Sequence, residues 1–329
     1  MANPIIFPAG TGWVGAAKES SWGVAAASPT TWWPVTEPKH SPKLSMMSDQ
    51  HLRGNMGSVQ GQVAGVRYDE FTYSTGLFID NAFYAHTSLL GYPDTVVGAS
   101  DPYTHKTAML NTGDAQGPSY TLFAFNGAEV WKLAGARCTS LDVEISTDGL
   151  VTLTPTWFTT LGVTATGLTN TPSTTAPTPG WNTTVTLGGS LTNVYSSVKL
   201  SMKRNDAAAQ WSLQGTQSPY TLFSGSLEVT GTLTGVYTGY TGSPSDLAGY
   251  LANTQPSLVV KNYPAGDAVH YAQWQMSKIG YQDGVEVSAS NGFVQVEAPF
   301  QAITNATDGL GGTPSPILFT LLNSAASSY

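Results

Sequence analysis

The stretch "LDVEISTDGLVTLTPTWF" at 141–158 constrains the fold more than any other part of the chain. Successive side chains of an extended strand point to opposite faces. Leu141, Val143 and Ile145 therefore fall on one face, and Asp142 and Glu144 on the other. Gly149 in "TDG" supplies a turn, because glycine adopts positive φ at little cost. The chain then returns with Val151, Leu153 and Trp157 on one face and Thr152, Thr154 and Thr156 on the other. "SVKLSMK" at 197–203 repeats the alternation, with "RNDA" at 204–207 as a turn and "QWSLQG" read as the returning strand. "VQVEAPFQAI" at 294–303 sets Val294, Val296, Ala298 and Phe300 against Gln295, Glu297 and Gln301. Pro155 and Pro299 lie inside such runs, which predicts edge positions, bulges or strand ends there.

Helical periodicity is scarce. "TGLFIDNAFYAHTSLLGY" at 75–92 places Leu77, Ala82, Ala85 and Leu89 on a rough stripe and stops at Gly91, a good residue to follow a helix. "SPSDLAGYLANTQP" at 243–256 offers Ser245 as N-cap, an apolar face through Leu247 and Leu251, and a stop before Pro256. The expected fold class is all-β and mainly antiparallel, a β-sandwich or barrel with one or two short flanking helices. Residues 162–186 are rich in Thr, Pro and Gly; a linker between domains and a long surface loop inside one fold both fit them. "PSYTLFAFNGAEV" at 118–130 and "SPYTLFSGSLEV" at 218–229 share a phrase, which suggests equivalent strands in two halves.

Chemistry is sought and mostly not found. His40, His51, His86, His105 and His270 show no metal-ligand spacing, and no nucleophile elbow or phosphate-binding loop is present. Asp69 and Glu70 point to opposite faces of any strand. Asp142 and Glu144 share a face, which a solvated hairpin explains better than a pair of catalytic carboxyls. No enzymatic activity, cofactor or metal is expected. Cys138, the single cysteine, excludes an intrachain disulfide and reads as a buried apolar residue. The start carries no recognisable signal peptide, and no apolar run is long enough to span a membrane. Sequons at Asn182 and Asn305 carry little weight without secretion. Nine tryptophans and 15 tyrosines admit a carbohydrate-binding or adhesin β-sandwich, although they share no common spacing. Charged residues make up only 10% of the chain, against about 25% in ordinary soluble domains. Few Lys and Glu side chains then need desolvation where copies meet. The net charge of −8 and the scattered Lys and Arg argue against tight nucleic-acid binding.

"GWVGAAKESSWGVAAASPTTWWPV" at 12–35 resembles the opening of phage tail tube (major tail) proteins of long-tailed, non-contractile phages, through Gly15, Ala17, Glu19, Gly23, Pro29, Trp33, Pro34 and Val35. Further similar pieces follow in order: "GNMGSVQGQVAG" at 54–65, "SLLG" at 88–91, the 135–158 hairpin, "VTLGGSLTNVYSSVKLSMKR" at 185–204 and "SPYTLFSGSLEVTGTLTG" at 218–235. The resemblance implies a structural virion protein with two packed antiparallel sheets. Such proteins form hexameric rings that stack into the tube through which DNA leaves the capsid. Its partners would be other copies of itself, other tail proteins at the tube ends, and passing DNA without specific binding. No membrane is involved, and the place would be the virion tail after synthesis in the bacterial host cytoplasm. One domain over 1–329 is then expected, with an N-terminal arm over about 1–35, a Thr/Pro-rich loop at about 162–184 and no separate immunoglobulin-like domain. A tail terminator or decoration protein is the nearest alternative. On this reading Asp69, Glu70, Asp142 and Glu144 are candidate lumen-facing acids. The segment "SMMSDQHLRGNMGS" at 45–58, with Met46, Met47, Asp49, His51, Arg53, Asn55 and Met56, is a candidate loop for stacking between rings.

Overall fold

The computed structural model describes residues 6–171, 173–242, 244–290 and 292–329. A 3-10 turn (Ala9–Thr11) leads into β1 (Trp13–Lys18) and β2 (Thr31–Trp33), then the long hairpin of β3 (Thr36–Asp49) and β4 (Gly61–Gly76). Next come α1 (Phe83–Leu90), β5 (Tyr103–Ala108), β6 (Tyr120–Phe125), the 17-residue β7 (Val130–Ser146) and β8 (Thr152–Thr159). β9 (Val163–Ala165), a second 3-10 turn (Gly180–Asn182), β10 (Thr183–Leu187) and β11 (Ser190–Thr192) precede β12 (Tyr195–Arg204). β13 (Ala208–Gln210), β14 (Thr221–Phe223), β15 (Leu227–Val236) and α2 (Asp246–Leu251) follow. The chain continues through β16 (Leu258–Asn262), β17 (Tyr271–Met276), β18 (Ile279–Tyr281), β19 (Glu286–Ser290), β20 (Phe293–Ala302) and β21 (Leu318–Asn323).

Length makes β7 the organiser. Its C-terminal part pairs with β8 on one side and β12 on the other, and its N-terminal part pairs with β6 and β9. From it the larger sheet runs β12-β15-β20 one way and β8-β4-β3 the other, with β6-β1-β2 branching from the first half. A six-stranded sheet, β11-β10-β16-β17-β21-β5, is its counterpart. The expected all-β antiparallel sandwich is the fold observed. One hydrophobic cluster joins the two sheets, with Val143, Trp157, Leu200 and Phe300 from the larger and Trp274 and Phe319 from the smaller. α1 packs against both β7 and β5. The hairpin at 141–158 forms as read, Val143 opposite Leu153.

The helix expected over 75–92 is shorter, beginning only at Phe83, because residues 79–82 form turns. It ends at Gly91 as expected, at φ 97° with its N–H on the Thr87 carbonyl. Arg204, almost wholly buried, completes the cap by donating to the carbonyls of Leu89 and Leu90 (2.7 and 2.8 Å). A cation at a helix C-terminus also meets the favourable end of the helix dipole. α2 begins after Ser245, whose hydroxyl accepts from the Ala248 N–H. Its expected apolar face is not what holds it: Leu251 is exposed, while Asp246 is buried and takes hydrogen bonds from Tyr195 and Tyr281.

Two other expectations are corrected. After the turn at 204–207, "QWSLQG" does not return along β12. β12 pairs with β15 and β7, and β13 turns away to pair with β14 in a separate small hairpin. The shared phrase does not mark equivalent strands either: β6 is buried between β1 and β7, whereas β14 is three residues long and lies outside both sheets. Both prolines fall where a missing N–H costs little. The β4–β8 ladder omits Pro155 between Thr72–Thr156 and Thr75–Leu153. Pro299 faces the gap between β19, which ends its pairing at Glu297, and β18, which begins at Phe300.

Candidate functional site

The segment behind the N-terminal resemblance is built around one carboxylate. Glu19 accepts four hydrogen bonds, from Ser119 Oγ, Thr121 Oγ1, Gly135 N and Gly23 N, at 2.7–2.9 Å. Gly23 reaches it from φ 76°, a conformation that favours glycine. A Cβ on Gly15 would lie 2.8 Å from Pro29 Cβ, so the backbone there must remain bare. The Gly, Ala, Glu, Gly and Pro of that opening thus fasten β1 to β6 and β7.

The larger sheet turns one face inward and one outward, and register fixes which side chains share the outer one. Glu70 and Thr72 on β4 stand beside Phe158 and Thr156 on β8, and Thr154 and Thr152 beside Asp142 and Glu144 on β7. These neighbour Ser201 and Lys199 on β12, then Thr230 and Thr232 on β15, and Thr234 lies opposite Glu297 on β20. The result is a polar face of short hydroxyl side chains across six adjacent strands. Including the flanking β3 and β19, it carries Glu70, Asp142, Glu144, Glu228, Glu286 and Glu297 against Lys39, Lys43, Lys199 and Lys203. Some of this charge is engaged: Lys199 donates to Glu144 (2.9 Å), Ser201 Oγ to Asp142 (2.6 Å) and Lys43 lies 2.8 Å from Glu70. A depression of about 500 Å³ lies on the face, between Asp142, Glu144, Lys199 and Gln282.

Of the four acids singled out, the sheet brings Glu70, Asp142 and Glu144 onto this face and excludes Asp69. Asp69 is wholly buried, so it is corrected from a lumen candidate to an internal anchor. It bonds to His40 Nε2 (2.7 Å), takes both Nε and Nη2 of Arg67 (3.0 Å each) and accepts from Gly162 N (2.9 Å). Burial works against its charge, but these donors outweigh it and hold the carboxyl below its ordinary value. Alternation separated Asp69 from Glu70; only the packing of His40 and Gly162 reveals which of them points inward.

The 45–58 segment also differs from the expected loop. Residues 45–49 belong to β3, which stays paired with β4 as far as Asp49 opposite Gly61. β8 reaches along β4 only to Asp69, so beyond it the hairpin overhangs the sheet as a two-stranded ribbon. Leu44, Met46, Met47 and Val63 are exposed on the ribbon, and Leu52 and Met56 fully so at its tip. The tip holds its own shape: the Asp49 carboxylate accepts from His51 and Arg53, and Asn55 bonds to Gln60 and Gly57. At the root, Gln217 extends the open edge of β4, donating to the Gly65 carbonyl (2.8 Å) and accepting from the Arg67 N–H (3.1 Å).

One cluster among the described residues has the order of a catalytic relay. Ser324 Oγ stands 3.4 Å from His270 Nε2, and Asp267 2.5 Å from Nδ1, an order like that of a hydrolase relay. However, Asp101 occupies Nε2 at 2.9 Å, and Ser324 donates to Asp101 at 3.1 Å. Burial lowers the affinity of His270 for its proton, but the two carboxylates outweigh burial and raise its pKa above the ordinary value. Among the described residues no group of three or more His, Cys, Asp or Glu is arranged to hold a metal, and no helix is long and apolar enough to cross a membrane.

No curated protein matches the chain. The family described as phage tail tube protein matches residues 13–302, a span that holds the Glu19 anchor, the overhanging hairpin and all six strands of the polar face. The chain therefore belongs to the phage tail tube protein family.

Proposed function

We propose that copies of this chain form rings, hexameric as the family resemblance implies, and that the rings stack into the tube through which genomic DNA passes. Membership of the family makes the chain a structural protein of the phage tail. The observation that carries the finer reading is the polar face. It is wide, lined by hydroxyls, and has six carboxylates against four ammonium groups. Such a wall repels phosphate weakly and offers passing DNA no fixed binding site. Glu70, Asp142 and Glu144 are its lumen candidates. The overhanging hairpin supplies the contact between rings. A two-stranded ribbon with exposed apolar side chains is marginal in water on its own, and a neighbouring copy would cover it. Each contact needs to bury only roughly 1,200–2,000 Å² to be specific, and a ring repeats it.

On this reading the chain acts as one domain over 1–329. The Thr/Pro-rich stretch belongs to this body and does not link two domains: β9 pairs with β7, and Thr178 bonds to both Leu77 and Val151. Its further partners are the tail proteins that close each end of the tube, and its synthesis takes place in the host cytoplasm. It performs no catalysis. Negative-stain electron microscopy of the purified chain at raised concentration and moderate salt tests the reading. Hollow tubes with a regular axial repeat are expected. Monomers under every condition, together with glycan binding on an array, would overturn it in favour of a carbohydrate-binding sandwich.

A further inference from the structure

The two lateral ends of the polar face carry opposite charge, and each end holds groups left without a partner. At one end, Glu286 on β19 lies directly opposite Glu297 on β20. Like charges directly opposite on neighbouring strands are unfavourable. Both residues are exposed, and among the described residues neither carboxylate makes an ion pair or a side-chain hydrogen bond. The nearby Asp283 adds to the negative charge and is held by Tyr250 (2.9 Å). At the other end, β3 sets Lys39, Ser41 and Lys43 beside Thr72, Glu70 and Tyr68, which places all three on the same polar face. Lys43 is engaged with Glu70, while Lys39 is exposed and makes no ion pair or side-chain hydrogen bond among the described residues. Glu37, the nearest acid in sequence, lies at a bulge with φ 53°. Pro38 and Pro42 interrupt this edge. A missing N–H at each weakens any strand-to-strand ladder there, so a neighbour meets the edge through side chains.

We propose that these ends are complementary seams between successive copies, with Lys39 of one copy entering between Glu286 and Glu297 of the next. The inference rests on the ring reading and names the surfaces that would make the ring. Each copy offers a lysine end and a carboxylate end, so the contact is head-to-tail and repeats around a closed circle. The unfavourable Glu286–Glu297 pair becomes a site for an ammonium group, and the low charge elsewhere leaves this contact to set the order of subunits.

Two variants test it, Lys39→Glu and the double change Glu286→Lys with Glu297→Lys, each compared with the wild-type chain by sedimentation velocity and electron microscopy. Each variant alone should keep the wild-type melting temperature and need a protein concentration roughly tenfold or more higher to assemble. Mixed in equal amounts, the two should assemble near the wild-type concentration, because every contact in an alternating ring then pairs opposite charges. If wild type forms rings or tubes and the variants match it, or the mixture fails to restore assembly, the seam is wrong while the tube reading stands. If wild type forms neither rings nor tubes, the reading falls and the seam falls with it.

Discussion

Asp69 keeps a negative charge in the protein interior because three separate parts of the chain supply donors to it: His40 on β3, Arg67 on its own strand, and the backbone of Gly162 after β8. Its pKa lies below the ordinary 3.8, so it binds its proton less readily in the folded chain than in the unfolded one. The stability it contributes is therefore complete above that ordinary value and fades as pH falls through the lower folded value. Asp69→Asn should cost about 2–3 kcal/mol in urea unfolding at pH 7, below the 3–5 of a fully buried pair because Arg67 remains partly exposed. At pH 2 the gap between variant and wild type should narrow. Cys138 meets the expectation of a buried apolar residue: burial pushes its thiol well up, and it lies beneath α1 with its N–H on Ser88 Oγ. A thiol reagent should leave it unlabelled in the native chain and modify it at the rate of global opening. Both residues were visible in the sequence. The burial of Asp69 was not, since its partners come from positions 29 and 93 residues away.

Among the elements, the strands with clean alternation were legible and those with interrupted patterns were not. β7 and β8 alternate without a break on the stretch that forms their hairpin, and they appear where the sequence puts them. β3 holds Pro38, Pro42 and two adjacent methionines, so its 14 residues read as less than a strand. The partner of β12 was misjudged because a turn signal at 204–207 fixes where the chain bends and not which strand it rejoins. Replacing residues 50–60 with a two-residue turn should leave the melting temperature within a degree or two and abolish tubes, since none of the replaced residues is buried. Tubes formed by that variant would remove the hairpin from stacking. A second element, the 324–329 segment, is fastened by His270 acting with Asp101 and Ser324. The pKa of His270 lies above its ordinary 6.5, so the fastening is complete at lower pH and is lost as pH rises through the folded value. Hydrogen-exchange protection around Ser324, corrected for intrinsic rates, should therefore fall as pH rises through that folded value above 6.5. His270→Gln should show the low protection throughout.

For the whole molecule, the polar face emerges only when eight strands are put in register, and no window of sequence contains it. Asp142 and Glu144 could be paired on one face from their spacing, but their neighbours Lys199 and Ser201 lie more than 50 residues on. Charge reversal there, Asp142→Lys with Glu144→Lys, should leave assembly intact and slow DNA ejection several-fold in a phage carrying it. Unchanged ejection kinetics would move the lumen to another surface. The overhanging hairpin also sets an arrow. In a tube stacked head-to-tail through this hairpin, as proposed, the surface that receives it on a neighbour differs from the one it leaves, so the column has two chemically unlike tips. One tip presents ribbons and the other presents vacant receptors. Growth, arrest and capping at the two tips must then be carried out by different molecules, and a cap shaped for one cannot seal the other.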